Sequence, residues 1–172
     1  MKPLPRLVLL PLSLLVLLIV AGRADAQATH CKRVHARIES KVVEAGTAAC
    51  PIACTAGEVT GNGLLTGTTR FTASALVPAA GLAGENPATT FSDSGTFVLT
   101  TRHGSLTSSS IGLLDLAAGV FFDIGRITGG TGRFHDATGI IFFSGAAVLS
   151  GPTILDLAFA GDISAEVCLA DD

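Results

Sequence analysis

The side chains with the clearest chemistry in this 172-residue chain are four cysteines: Cys31, Cys50, Cys54 and Cys168. Thiols can ligate a metal, exchange disulfides or form structural bridges, and spacing separates these roles. Cys50 and Cys54 have three residues between them, whereas a thioredoxin-like redox pair has two. His30 and Cys31 are adjacent, an awkward arrangement for chelating one ion. An even cysteine count in an exported chain points to two disulfides, and four cysteines allow three pairings. The expected pairing is Cys50–Cys54, closing a small loop around Pro51, with Cys31–Cys168 tying the first predicted strand to the last. The histidines (His30, His35, His103 and His135) are scattered without ligand spacing. No metal and no cofactor is expected.

Residues 127–139 read Ile-Thr-Gly-Gly-Thr-Gly-Arg-Phe-His-Asp-Ala-Thr-Gly. A glycine run of this kind could cradle a phosphate, but the Lys-Ser/Thr of a P-loop is missing. The dinucleotide fingerprint fails as well, because position 135 is His rather than Gly, and a strand rather than a helix is predicted to follow. The structural reading is a turn. Gly129, Gly130 and Gly132 permit backbone angles closed to other residues, Phe134 can plug a core while the chain turns, and Ala137 and Gly139 leave little bulk where the next strand begins. Ser92-Asp93-Ser94-Gly95 has the residue types of a nucleophile loop, yet no Gly-x-Ser-x-Gly elbow occurs and turn chemistry accounts for the tetrapeptide. Catalytic residues are therefore assigned to none. Asp115, Asp123 and Arg37 are candidate polar groups for an interior. The competing reading is a solvated or salt-bridged wall, since charges rarely bury unpaired. Asp123 and Arg126 are three positions apart on a predicted strand and so point to opposite faces.

The elements that must position these groups begin with a leader. Lys2 and Arg6 precede an apolar stretch from Leu7 to Val20, and Ala24-Asp25-Ala26 supplies a small-x-small cleavage pattern. That order predicts a signal peptide over residues 1–26. The apolar stretch, interrupted by Pro11 and Ser13, is short for a membrane-spanning helix. No transmembrane anchor is expected after cleavage, and the expected location is secreted or periplasmic. Residues 27–172 form one domain's length. Loss of Lys2, Arg6, Arg23 and Asp25 takes the formal charge from −3 to −5, a poor match to nucleic acid, which needs a basic face. Lys32, Arg33, Arg37 and Lys41 lie on one predicted strand among His35 and Glu39, which reads as a solvated face.

Strand signals run through the mature chain. Val34, Ala36, Ile38 and Val42 alternate with polar neighbours, the period of a half-buried strand. Asn62-Gly63 between Glu58–Thr60 and Leu64–Thr66 predicts a tight hairpin. Further strands are expected over 68–75, 91–102, 106–116, 120–128, 140–150 and 153–169, the last broken near Gly161. Their separators are an Ala/Gly/Pro-rich loop at 76–88 and turns at 103–104, 117–119, 129–132 and 151–152. No segment has helical periodicity. Sequential strands joined by short turns predict an all-β fold, a single antiparallel, mostly up-and-down barrel of about eight strands. A two-sheet sandwich is the alternative. Ile140-Ile141-Phe142-Phe143 and Val120-Phe121-Phe122 are apolar on both faces. One set must fill the interior and the other needs cover, which predicts self-association.

The stretch containing Gly129, Gly130, Thr131, Gly132, Arg133, Phe134, Ala137 and Gly139 resembles the Gly-Gly-Thr-Gly-x-Phe-x-x-Ala-x-Gly segment of the plant dirigent proteins and the related allene oxide cyclase barrels. The surroundings (Thr100–Gly104, Asp115 before a turn, Ile127 onward) look like bacterial exported members of that class. The resemblance implies an allene oxide cyclase/dirigent-like barrel over 27–172, often trimeric, with a mainly apolar cavity. It supplies no catalytic residue here, because the polar groups of those families include tyrosine and this chain has neither tyrosine nor tryptophan. Three functions follow, in order. The first is non-catalytic binding of a small apolar ligand, the second a self-associating structural protein of the envelope, and the third a cyclase or isomerase of an apolar substrate. An inward-facing acid with a raised pKa would favour the third, and a filled interior the second.

Overall fold

The computed structural model describes residues 29–61, 63–79 and 88–170; the predicted leader, Asn62 and most of the long loop lie outside them. Eight strands follow in chain order: β1 (Thr29–Glu44), β2 (Cys54–Gly61), β3 (Gly67–Pro78), β4 (Thr90–Thr101), β5 (Gly104–Asp115), β6 (Val120–Gly130), β7 (Thr138–Leu149) and β8 (Leu157–Ala170). Each pairs antiparallel with the next, and β8 pairs with β1, so the sheet closes. Closure satisfies both edges of every strand and leaves no open template for pairing. The only helical turns among the described residues are 3-10 turns at Gly132–Phe134 and Ile154–Asp156.

The predicted alternation positions the interior. On β1, Ala36, Ile38 and Val42 point inward, while Arg33, His35, Arg37, Glu39 and Lys41 are exposed. On β7, Ile141 and Phe143 are buried and their neighbours Ile140 and Phe142 stand outside. Two disulfides, Cys31–Cys168 and Cys50–Cys54, brace the barrel. Cys31 lies directly opposite Cys168 in the β1–β8 ladder, so the first bridge follows from barrel closure. Disulfides of this kind belong to oxidising compartments.

Several boundaries depart from expectation. Leu64–Thr66 is a loop, not a strand: β2 ends at Gly61 and β3 starts at Gly67. The Thr66 hydroxyl donates to the Gly61 carbonyl at 2.7 Å, and Leu65 turns completely into the core. Burying that leucine outweighs extending the ladder. Leu76 and Val77 belong to β3, paired with Asp93 and Ser92, so the long loop starts later than predicted. Strand β8 runs through Gly161 unbroken, because hydrogen-bonded neighbours hold it on both sides, at Ile38 of β1 and Gly145 of β7. Ser92–Gly95 is not a turn. It lies inside β4, paired with β3 and β5.

The interior has two unlike halves. In one, Val59, Leu65, Leu99, Leu106, Ile163 and Val167 pack densely around Phe134. The glycine run makes that possible: the 3-10 turn at Gly132–Phe134 swings the ring back under the strands, and Gly132 adopts φ +58°, a left-handed conformation glycine tolerates best. In the other half a smaller cluster (Val42, Ala53, Leu114, Ala147 and Leu157) lines the wall without filling it.

Candidate functional site

The unfilled half encloses a cavity of about 110 Å³. Its wall is aromatic and aliphatic. Phe97 and Phe143 meet edge-on with centroids 4.7 Å apart, and Phe121 and Phe159 do the same at 5.2 Å. Ile38 and Val42 from β1, Phe71 and Leu76 from β3, and Leu114 from β5 complete it. Two segments outside the strands also reach the lining. Ile52 and Ala53 come from the loop closed by Cys50–Cys54, and Ile154 comes from the second 3-10 turn. Arg70 steadies the first segment from outside, donating to the Glu44 carboxylate at 3.4 Å and to Cys50 Sγ at 3.1 Å. In the second, Asp156 accepts from the Thr153 amide at 3.0 Å and the Thr153 hydroxyl at 2.8 Å, bonds that hold its carboxyl below the usual range.

Two acids interrupt this apolar lining: Asp93 on β4 and Asp123 on β6. They are brought together by register. Asp93 pairs with Gly112 of β5, and Gly112 pairs with Asp123, so the three residues form one row across three strands. The glycine between them is a requirement of space, since a Cβ at position 112 would collide with the Asp123 carboxyl. The two carboxyls interact directly. Burial raises the pKa of Asp93, offset in part by its hydrogen bond with Asp123. Burial also raises Asp123, reinforced by the charge of Asp93, and pushes it up to about 8. Two carboxylates this close in a mostly apolar site cannot both ionise cheaply. At neutral pH the pair as a unit therefore retains a proton that two ordinary aspartates would have lost. Asp93 Oδ1 is buried without a hydrogen-bond partner. The remaining polar residues of the lining, Ser40, Thr55 and Ser110, are neutral.

Of the acids and bases proposed from sequence, Asp123 lies in the cavity and two do not. Asp115 is not a cavity group: its carboxylate accepts from the Ala118 amide at 2.9 Å and caps the β5–β6 turn. Arg37 is exposed on the outer face of β1, because its parity is opposite to that of Ile38. Arg126 likewise faces out. Asp93 is the cavity acid that sequence reasoning does not single out: it lies in the strand expected over 91–102, but the turn-like chemistry of Ser92–Gly95 masks its inward parity. Counting back by twos from the inward Phe97 through Gly95 reaches Asp93, and that parity was the available signal. The motif residues Gly129, Gly130, Thr131, Gly132, Arg133, Phe134, Ala137 and Gly139 lie at the filled end and do not appear among the cavity lining. The histidines do not converge. His35 Nδ1 is 3.1 Å from Ser164 Oγ, Arg102 donates to His103 Nε2 at 2.9 Å, and His135 pairs with Asp136 at 2.9 Å. Among the described residues, one group of three metal-type donors comes together, Cys31, Glu166 and Cys168, and its two sulfurs are bonded to each other. No helix among the described residues is long and apolar enough to cross a membrane.

No protein-family model and no curated protein matches the chain. Among solved structures, the pterocarpan synthase dirigent protein GePTS1 is similar at 10% identity over 84% of this chain and 87% of that one, with a TM-score of 0.32. A likeness that remote assigns neither residues nor activity to this chain. The topology stands on the strand pairing itself: a closed antiparallel barrel of eight sequential strands with one filled and one hollow half.

Proposed function

We propose that this protein is an exported binding barrel that holds a small apolar molecule in its hollow half without catalysis of its own. The observation that carries the reading is the cavity: about 110 Å³ bounded by Phe71, Phe97, Phe121, Phe143 and Phe159. A dry apolar cavity of comparable size is known to bind benzene, so a ring or short chain is the right scale of occupant. Native mass spectrometry of protein purified from its own host tests this. A co-purifying small molecule supports it. An empty protein that also fails to take up benzyl alcohol in titration calorimetry refutes it.

A second reading is acid–base catalysis on an apolar substrate, and the Asp93–Asp123 pair is the observation that favours it. A general acid works best with a pKa near the working pH, and Asp123 sits in that range. Turnover of a bound molecule that Asp123→Asn abolishes, with binding retained, would replace the first reading with this one.

We further propose that the protein self-associates through the outer face of β5–β7. Ile111, Ile124 and Phe142 stand in one cross-strand row, flanked by Val120, Phe122 and Ile140, and all six are exposed. With roughly half of each side chain open, the row and its surroundings offer several hundred Å² per copy, approaching the ~800 Å² per partner of a standard interface. Sedimentation at micromolar concentration should give an oligomer that Ile124→Lys dissociates. A strict monomer refutes it.

A further inference from the structure

We propose that the Asp93–Asp123 pair selects, among small apolar molecules, those that carry a protonated amine. The inference rests on the cavity being a ligand site and names the chemistry of the ligand.

The argument is geometric first. Asp93, Gly112 and Asp123 form one row on the inner face of β4, β5 and β6. The missing side chain at 112 leaves the space that the Asp123 carboxyl occupies, and both carboxyls line the cavity. Every element packed against them presents neutral groups. Strand β3 offers Phe71 and Leu76, β5 offers Ser110 and Leu114, and β7 offers Phe143. The far wall is Ser40 of β1 and Phe159 of β8. Among the described lining residues there is no Lys, Arg or His. The site is thus an acid pair in an apolar chamber with no internal cation, and one of its oxygens, Asp93 Oδ1, has no partner.

Such an arrangement leaves a buried charge uncompensated, which is costly unless a partner arrives. A ligand carboxylate would add a second negative charge and is rejected. A ligand hydroxyl can donate one hydrogen bond to Asp93. A ligand ammonium donates charge-assisted bonds to both carboxyls and removes the repulsion that makes the pair retain a proton. The balance is simple: the singly protonated pair plus an ammonium gives the doubly ionised pair bound to that ammonium, plus one proton released to solvent. No covalent bond is made or broken in the ligand.

Three probes of one shape test this: benzylamine, benzyl alcohol and benzoate, titrated calorimetrically into the disulfide-intact protein at pH 7 in two buffers of different ionisation enthalpy. The amine is expected to bind roughly tenfold tighter than the alcohol, the difference between a charge-assisted and a neutral hydrogen bond. Benzoate should not bind. The amine's apparent heat should differ between buffers by a released proton, and its affinity should rise from pH 6 to pH 8 while that of the alcohol stays level. Asp93→Asn and Asp123→Asn should each weaken amine binding several-fold and abolish its proton release. Equal affinity for amine and alcohol without proton release overturns the selectivity and leaves the binding barrel standing, as does benzoate binding best. Binding of none of the three overturns both. The wild-type pH series decides the matter even if a variant folds poorly.

Discussion

Replacing Asp123 by asparagine should remove a pH-dependent penalty from the folded state. The folded chain holds a proton on Asp123 up to about pH 8, whereas an ordinary aspartate releases it near 3.8. Between those values the native state binds more protons than the unfolded chain, so this group's contribution to stability is full below pH 4 and is lost as pH rises through 8. The shift is about four units, and at ~1.36 kcal/mol per unit it corresponds to about 5 kcal/mol between the two limits. Water entering through the mouth relieves part of the cost of the second charge, so about 3 kcal/mol is the expected effect. Asparagine has nearly the same shape, can still donate to Asp93 and never ionises. Urea unfolding with both disulfides intact, followed by circular dichroism at pH 4.5, 6, 7.5 and 9, measures it. The difference between variant and wild type cancels the titrating carboxylates outside the pair. It should be about 1 kcal/mol at pH 4.5, where the unfolded aspartate is already mostly ionised, and grow to about 3 kcal/mol in favour of the variant at pH 9, a shift of roughly 1.5 M in midpoint at a slope of ~2 kcal/mol/M. A difference that does not change with pH, or a variant less stable than wild type at pH 9, refutes the buried acid pair.

Gly112→Ala should destabilise by about 1–3 kcal/mol through overpacking against the Asp123 carboxyl, and should flatten the pH dependence in the same unfolding series by forcing the two acids apart. Phe134→Ala should cost about 3–5 kcal/mol, because the ring is wholly buried at the filled end; benzyl alcohol affinity should stay within twofold, since the cavity is at the other end. The two disulfides should differ in weight. Cys31–Cys168 spans 137 residues and Cys50–Cys54 spans 4, so their removal as paired serine variants should cost about 5 and about 2 kcal/mol respectively. Thermal unfolding in the absence of reductant ranks them, and the serine pair at 50 and 54 should also weaken ligand binding by loosening Ile52 in the cavity lining.

What local sequence determines here is whatever depends on side-chain parity and on covalent chemistry. Val34, Ala36, Ile38 and Val42 announce β1 because alternation has only one structural meaning at period two. The even cysteine count announces two bridges, and the position of Cys31 and Cys168 at the two ends of the sheet suits a closed barrel. Phe134 is legible as a plug because glycines on its N-terminal side free the chain to turn. The site is not legible in that way. Asp93 and Asp123 are thirty residues apart, and nothing local marks either as a partner of the other. Only the ladders of β4 with β5 and β5 with β6 set them on either side of Gly112, and a slip of one residue in either would turn a carboxyl out to solvent. The two halves of the interior are decided at the same level. Leu65 and Phe134 reach one end from a loop and a 3-10 turn and are wholly buried there, while Ile52 and Ile154 only line the other. Whether a barrel is full or hollow depends on which side chains converge from all eight strands at once, a property of registers and closure that no single stretch of the chain contains.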